Sequence, residues 1–134
     1  MGCYNNGLGS NQKWFIGNIV RDILLSNQDV VDMIGDNVYP IVAPENCEGD
    51  FLIYRRMQYT KSSVKMGVYE DNCEVGIVAV SDNYDNSALL ASKIDNALTG
   101  KHMIDGIRID INLSDSTENF EDNKYIQTLI FKIK

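Results

Sequence analysis

The stretch NCEVGIVAVSDNYDNSALLASKIDNAL, Asn72 to Leu98, decides the fold. Its first part is apolar at both parities, with Cys73, Val75, Ile77 and Ala79 on one side and Val78 and Val80 on the other. A strand with one solvated face alternates, so a strand apolar on both faces belongs in the middle of a sheet. Ser81 to Asn86 then supplies turn chemistry and a helix N-cap in Asp85 or Asn86. From Ser87 the period changes to that of a helix, with Leu90, Ile94, Ala97 and Leu98 on one stripe. Thr99-Gly100 ends that helix, because glycine takes the left-handed conformation that closes a final turn. A central strand followed by an amphipathic helix that folds back on it is the nucleus of an α+β domain. The expectation is an antiparallel or mixed sheet of four to five strands with two main helices packed on one face.

Upstream, Ser10 or Asn11 can cap a helix over Gln12–Ser26, whose buried stripe is Phe15, Ile16, Ile19, Val20, Ile23 and Leu24. Gly17 weakens that helix by roughly 1 kcal/mol relative to alanine, or admits a close neighbour. Trp14 beside the stripe reads as a core-edge residue, with an interface anchor as the alternative. A short second helical turn covers Gln28–Ile34 and closes at Gly35. Pro40 and Pro44 confine Val38–Val42 to a short edge strand or extended arm. Phe51–Thr60 is the first full strand, and its tandem Arg55-Arg56 places one cation on each face. The two arginines read as solvated or ion-paired at a strand's end, with the alternative that one of them meets an acidic partner surface. Lys61–Asp71 then forms an unusually long hairpin connection, since such loops usually run about 2–5 residues. Its apolar Val64, Met66, Val68 and Tyr69 either extend the strands or touch another subunit.

Downstream, Lys101–Gly106 reads as a turn, and Ile107–Leu113 as a strand with Ile107, Ile109, Ile111 and Leu113 inward. Ser114–Asn123 is an acidic connection with a solvated tip, and Tyr125–Ile133 is the last strand.

With 134 residues, residues 11–134 are expected to form one domain with a single core, and residues 1–10 a flexible N-terminus. No basic and apolar leader and no apolar run of about 18 residues is present, so neither a signal peptide nor a membrane span is expected. A formal net charge of −7 argues against gripping phosphate backbones. Cys3, Cys47 and Cys73 form no metal or disulfide framework, and Cys73 reads as a small buried hydrophobe. A catalytic histidine system could be built only around His102, which reads as an exposed loop residue. No catalytic residue, cofactor site or metal site is assigned, and an enzyme is not expected.

The opening helix with VRDILLSNQDVVDMIGDNVYP, the strand FLIYRR, its long hairpin loop, VGIVAVSDNYDNSALLASKIDNAL and the closing YIQTLIFKIK come in an order that resembles the tail-completion (tail-terminator) family of long-tailed phages and prophages. The resemblance covers about residues 15–134; Gly49-Asp50 stands where many such sequences have a proline, and Ser114–Asn123 is long. It implies a structural protein of the virion tail, assembled in the host cytoplasm, that acts as a homo-oligomeric ring, commonly a hexamer. Such a ring would bind the tail tube protein and the head–tail connector, and let DNA pass without specific binding. An acidic bore suits that passage. The residues assigned to subunit or partner contact are Arg55, Arg56, Lys61, Val64, Lys65, Met66, Val68 and Tyr69. The alternatives are a head-closure or other neck connector, and a small ligand- or peptide-binding α+β module.

Overall fold

The computed structural model describes residues 12–45, 47, 49–63, 69–104 and 106–133. A 3₁₀ turn, Gln12–Phe15, leads into α1 (Ile16–Leu25), followed by α2 (Gln28–Ile34) and β1 (Val38–Pro40). Then come β2 (Phe51–Ser63), β3 (Tyr69–Ser81), α3 (Tyr84–Leu98), β4 (Gly100–Ile104), β5 (Ile107–Glu121) and β6 (Lys124–Ile133). The strands form one six-stranded sheet in the order β1-β2-β3-β6-β5-β4. β1 pairs parallel to β2 and every other pair is antiparallel. The sheet curls into a half-barrel.

This corrects the expected count of four to five strands and two helices. The sixth strand is β4, read as a turn because Lys101 and His102 interrupt any apolar run. The third helix is α2, whose 7 residues, nearly two turns, are a helix in their own right. β3 does lie inside the sheet, flanked by β2 and β6, and Cys73, Val75, Ile77 and Ala79 are almost wholly buried.

Those four side chains face the helices. Beside them lie Leu52 and Tyr54 of β2, Leu129, Phe131 and Ile133 of β6, and Ile109 and Ile111 of β5. Against this face sit Ile16, Val20 and Leu24 of α1, Val30 and Ile34 of α2, and Leu90, Ile94 and Leu98 of α3. The helical stripe of α1 therefore holds from Ile16 onward, while Phe15 falls outside it and is exposed. Gly17 is needed here for space: a Cβ would stand 3.2 Å from the Tyr54 ring.

Short polar side chains start the later helices. Asn27 Oδ1 accepts the Val30 N–H at 3.2 Å, and Asn83 Oδ1 accepts the Asn86 N–H at 3.1 Å. The cap of α3 is thus Asn83, two residues before Asp85, and α3 gains a first turn the periodicity did not reveal. At the other end of α3, His102 Nε2 donates to the Leu98 carbonyl at 2.7 Å. It satisfies a helix-end acceptor that the helix itself leaves open, so His102 is a half-buried strand residue and not a free loop residue.

Both long connections also contract. β2 and β3 stay paired out to Ser63↔Tyr69, well into the stretch read as a loop. β5 and β6 stay paired out to Glu121↔Lys124. Asp122 and Asn123, at φ +51° and +62°, close that second hairpin. Two consecutive left-handed residues are the signature of the tight turn whose twist matches antiparallel strands.

Candidate assembly surfaces

The sheet has two edges, and each is only half covered. On one side β1 pairs with β2 at Leu52–Tyr54, and no described strand continues along β2 past that point. On the other, β4 pairs with β5 at Ile107–Ile111, leaving Asn112–Glu121 uncovered on that side. The described pairing of β6 with β3 runs to Ile133, level with Cys73, and beyond that row the β2–β3 hairpin is two-stranded among the described residues. Unpaired edges of this kind are sites where other chains can add.

Arg55 and Arg56 lie at the start of the open part of β2. They face opposite ways, since Arg55 is opposite Gly76 and Arg56 opposite the buried Val75. Arg55 Nε donates to Met57 Sδ at 3.2 Å. Arg56 places its guanidinium 4.8 Å from the centroid of the Trp14 ring, a cation–π contact. Trp14 is 65% exposed, so it is a surface platform for Arg56 and not a core-edge residue. Together with Gly17, Asn18, Pro40, Ile41 and Tyr54, these residues line an open groove of about 400 Å³. Lys61 and Tyr69 fall in the two-stranded arm, opposite Asp71 and Ser63. Val64, Lys65, Met66, Val68 and residues 1–10 lie outside the described residues.

Among the described residues no helix packs on the other face of the sheet, whose centre is apolar. Ile53, Met57, Val78, Thr128 and Ile130 surround a depression of about 260 Å³ over Gly76. A Cβ at Gly76 would come within 2.9 Å of Met57 Sδ, so the glycine lets Met57 lie flat across the sheet. Beside this depression Ile41 and Val42 are each 71% exposed, and Ile41 sits at φ +66°. A β-branched residue in the left-handed region is strained. The sequence signal for this knob was an Ile-Val pair between Pro40 and Pro44, which periodicity does not weigh.

The opposite end of the sheet is held to its own body. Tyr84 at the start of α3 donates its hydroxyl to Glu118 Oε2 at 3.0 Å, and Gln127 Nε2 donates to Glu118 Oε2 at 2.9 Å. Gln127 also reaches Ser87 Oγ at 3.3 Å. Tyr125 makes an edge contact with Tyr84 at 5.7 Å between centroids and a tilted one with Phe120 at 4.8 Å, and Lys124 pairs with Asp82. The bond to the Glu118 carboxylate and its charge push the Tyr84 hydroxyl above its ordinary pKa. The Tyr39 hydroxyl is likewise raised, first by its hydrogen bond with Cys47. These groups are arranged to hold strands together. Among the described residues no three His, Cys, Asp or Glu side chains gather as a metal site, and no nucleophile stands next to His102, whose ring nitrogen is engaged by Leu98.

Set beside known proteins, the fold finds a counterpart. A solved chain described as "Virion of native gene transfer agent (GTA) particle" superposes with a TM-score of 0.69 over 85% of this chain and 89% of that one. That counterpart is part of a virion. At 15% identity the likeness is one of fold, carried by backbone layout and not by shared side chains. No protein-family model matches the sequence, and no curated protein matches it.

Proposed function

We propose that this protein is a structural component of a phage-like particle, a tail-completion subunit that closes the tail tube and joins it to the head connector as a homo-oligomeric ring. The observation that carries the reading is the near-complete overlap of its fold with a chain of a virion, at a TM-score of 0.69. The surfaces support it. Among the described residues, two half-open sheet edges, an apolar sheet face without a helix and an exposed Ile41-Val42 knob are features of a subunit that completes itself against neighbours. The net charge of −7 suits a conduit for DNA, because a repelling wall does not hold the polymer passing through it.

The test has two parts. Light scattering across a concentration series measures the mass, and electron microscopy follows tube growth in an assembling system with and without the protein. Ring formation, and tubes that overgrow when the protein is withheld, support tail completion. Tubes of normal length whose heads stay unjoined would move the role to a neck connector. A chain that stays monomeric at high concentration and ignores tube ends sinks the reading.

A further inference from the structure

We infer that copies of this chain join edge to edge in one direction, the open stretch of β2 in one copy forming an antiparallel ladder with the open stretch of β5 in the next, with Arg55 facing Glu121 across the junction. This inference rests on the ring reading and specifies its interface. Four observations lead to it.

The first is charge. The part of β2 that no described strand covers, Arg55–Ser63, carries Arg55, Arg56 and Lys61 and no carboxylate. The uncovered part of β5, Asn112–Glu121, carries Asp115, Glu118 and Glu121 and no lysine or arginine. In a protein as acidic as this one, that separation gives each copy one edge strand whose open stretch is basic and one whose open stretch is acidic. Like edges repel and unlike edges attract, which selects a head-to-tail contact over a two-fold one.

The second is direction. Because β2–β3, β3–β6 and β5–β6 are each antiparallel, β5 runs opposite to β2. Two copies facing the same way therefore present β2 and β5 antiparallel, with the helices on one side throughout. Sidedness agrees as well. Arg55 pairs with Gly76, and Glu121 pairs with Lys124, both on the sheet face away from the helices.

The third is shape. β1 blocks the lower part of the β2 edge and β4 blocks the part of the β5 edge that lies toward the far end of the sheet. The two open stretches consequently sit in opposite halves of the sheet, so the edges are stepped like a lap joint. Each step leaves room for the strand that blocks the other. One bulge interrupts each open stretch, between Arg56 and Gln58 and between Leu113 and Asp115, so an arbitrary strand fits either edge poorly.

The fourth is geometry. Bringing the open stretches level slides the next copy along the strands by about six residues, roughly 20 Å at the usual rise. The repeat across the junction is β2-β3-β6-β5, about 19 Å at the usual strand spacing. A slide equal to the repeat closes on itself only if the strands tilt by about 45° to the ring axis, at the upper end of the roughly 35–45° of closed barrels.

The test uses the full chain in a Cys3→Ser, Cys47→Ser background carrying Arg55→Cys and Glu121→Cys together or singly. Under mild oxidation the double variant is expected to give a ladder of disulfide-linked multimers on a non-reducing gel, and each single variant none beyond a dimer. Separately, Arg55→Glu or Glu121→Arg alone is expected to raise the concentration for half-assembly by about tenfold, and the two together to restore it. Both residues are exposed, so circular dichroism should show an unchanged fold. Assembly that proceeds with neither ladder nor rescue overturns the edge junction and leaves the ring reading standing. A cross-linked dimer that grows no further overturns the one-directional contact. A chain monomeric at every concentration overturns both.

Discussion

The two hairpins of this protein are built from strands of similar length and end very differently. The β5–β6 hairpin closes on Asp122-Asn123 and is tied to the start of α3 through Tyr84, Glu118, Gln127 and the Tyr125 ring. The β2–β3 hairpin runs past the end of β6 and continues, among the described residues, as two strands alone. Within the described residues one hairpin is finished and the other is not. A two-stranded ribbon without a third strand or a helix is marginal in water, so the difference marks where the molecule depends on something beyond itself.

Native-state hydrogen exchange tests this difference most directly. In the isolated chain the amides of Gln58–Ser63 should exchange through local opening of near 0 kcal/mol, whereas those of Leu129–Ile133 should wait for global unfolding, about 5–15 kcal/mol. Equal protection in both would erase the contrast. The next largest effect is at the strand the hairpins share through β3. Phe131 is buried in the core between sheet and helices, and Phe131→Ala should cost about 3–5 kcal/mol in a denaturant titration. A loss below about 1 kcal/mol would mean that β6 is not the common support.

Asn123 gives a smaller and more local effect. At φ +62° an alanine is strained and a glycine is not. Asn123→Ala should therefore destabilise by roughly 1–2 kcal/mol and Asn123→Gly hardly at all. A pair of variants with equal midpoints would speak against the tight turn. The smallest effect is in the pH dependence of the β5–β6 end. The Tyr84 pKa is raised in the folded state, so the stability from its bond to Glu118 is whole below the ordinary tyrosine value. It disappears as pH climbs through the raised value. Tyr84→Phe should thus flatten the alkaline limb of the stability profile, read from thermal midpoints, while leaving the neutral region lower by a constant amount.

The same contrast explains what could be read from the sequence. Cys73 to Val80 is apolar on both sides because neighbours cover both edges and helices one face, so its place was legible. The stripe of α3 was legible for the same reason. β5 was legible from Ile109 and Ile111, which are buried as expected, whereas Leu113, read as inward, is 40% exposed because the buried face ends at Ile111. From Ser114 to Glu121 every residue is exposed, and no apolar alternation remains to betray a strand. There the strand exists because β6 pairs with it across the Asp122-Asn123 turn, a backbone pairing that apolar periodicity does not report. β4 suffered similarly, being short and half-exposed along its length. On the surfaces, alternation correctly placed Arg55 and Arg56 on opposite faces. Nothing in the sequence joined Arg56 to Trp14, because that contact depends on how α1 crosses β2.

The Asp122-Asn123 turn has a further bearing, on the order in which the chain folds. It brings β5 and β6 together with almost no loop to close, so this ribbon can zip within about 1–10 μs. β3 must find the other side of β6 across the whole of α3 and β4, a far larger loss of chain freedom. The late ribbon then supplies the template on which the earlier strands dock. A truncation at Phe131 should accordingly slow refolding as well as weaken the product, whereas changes in the β2–β3 arm should leave the refolding rate nearly untouched.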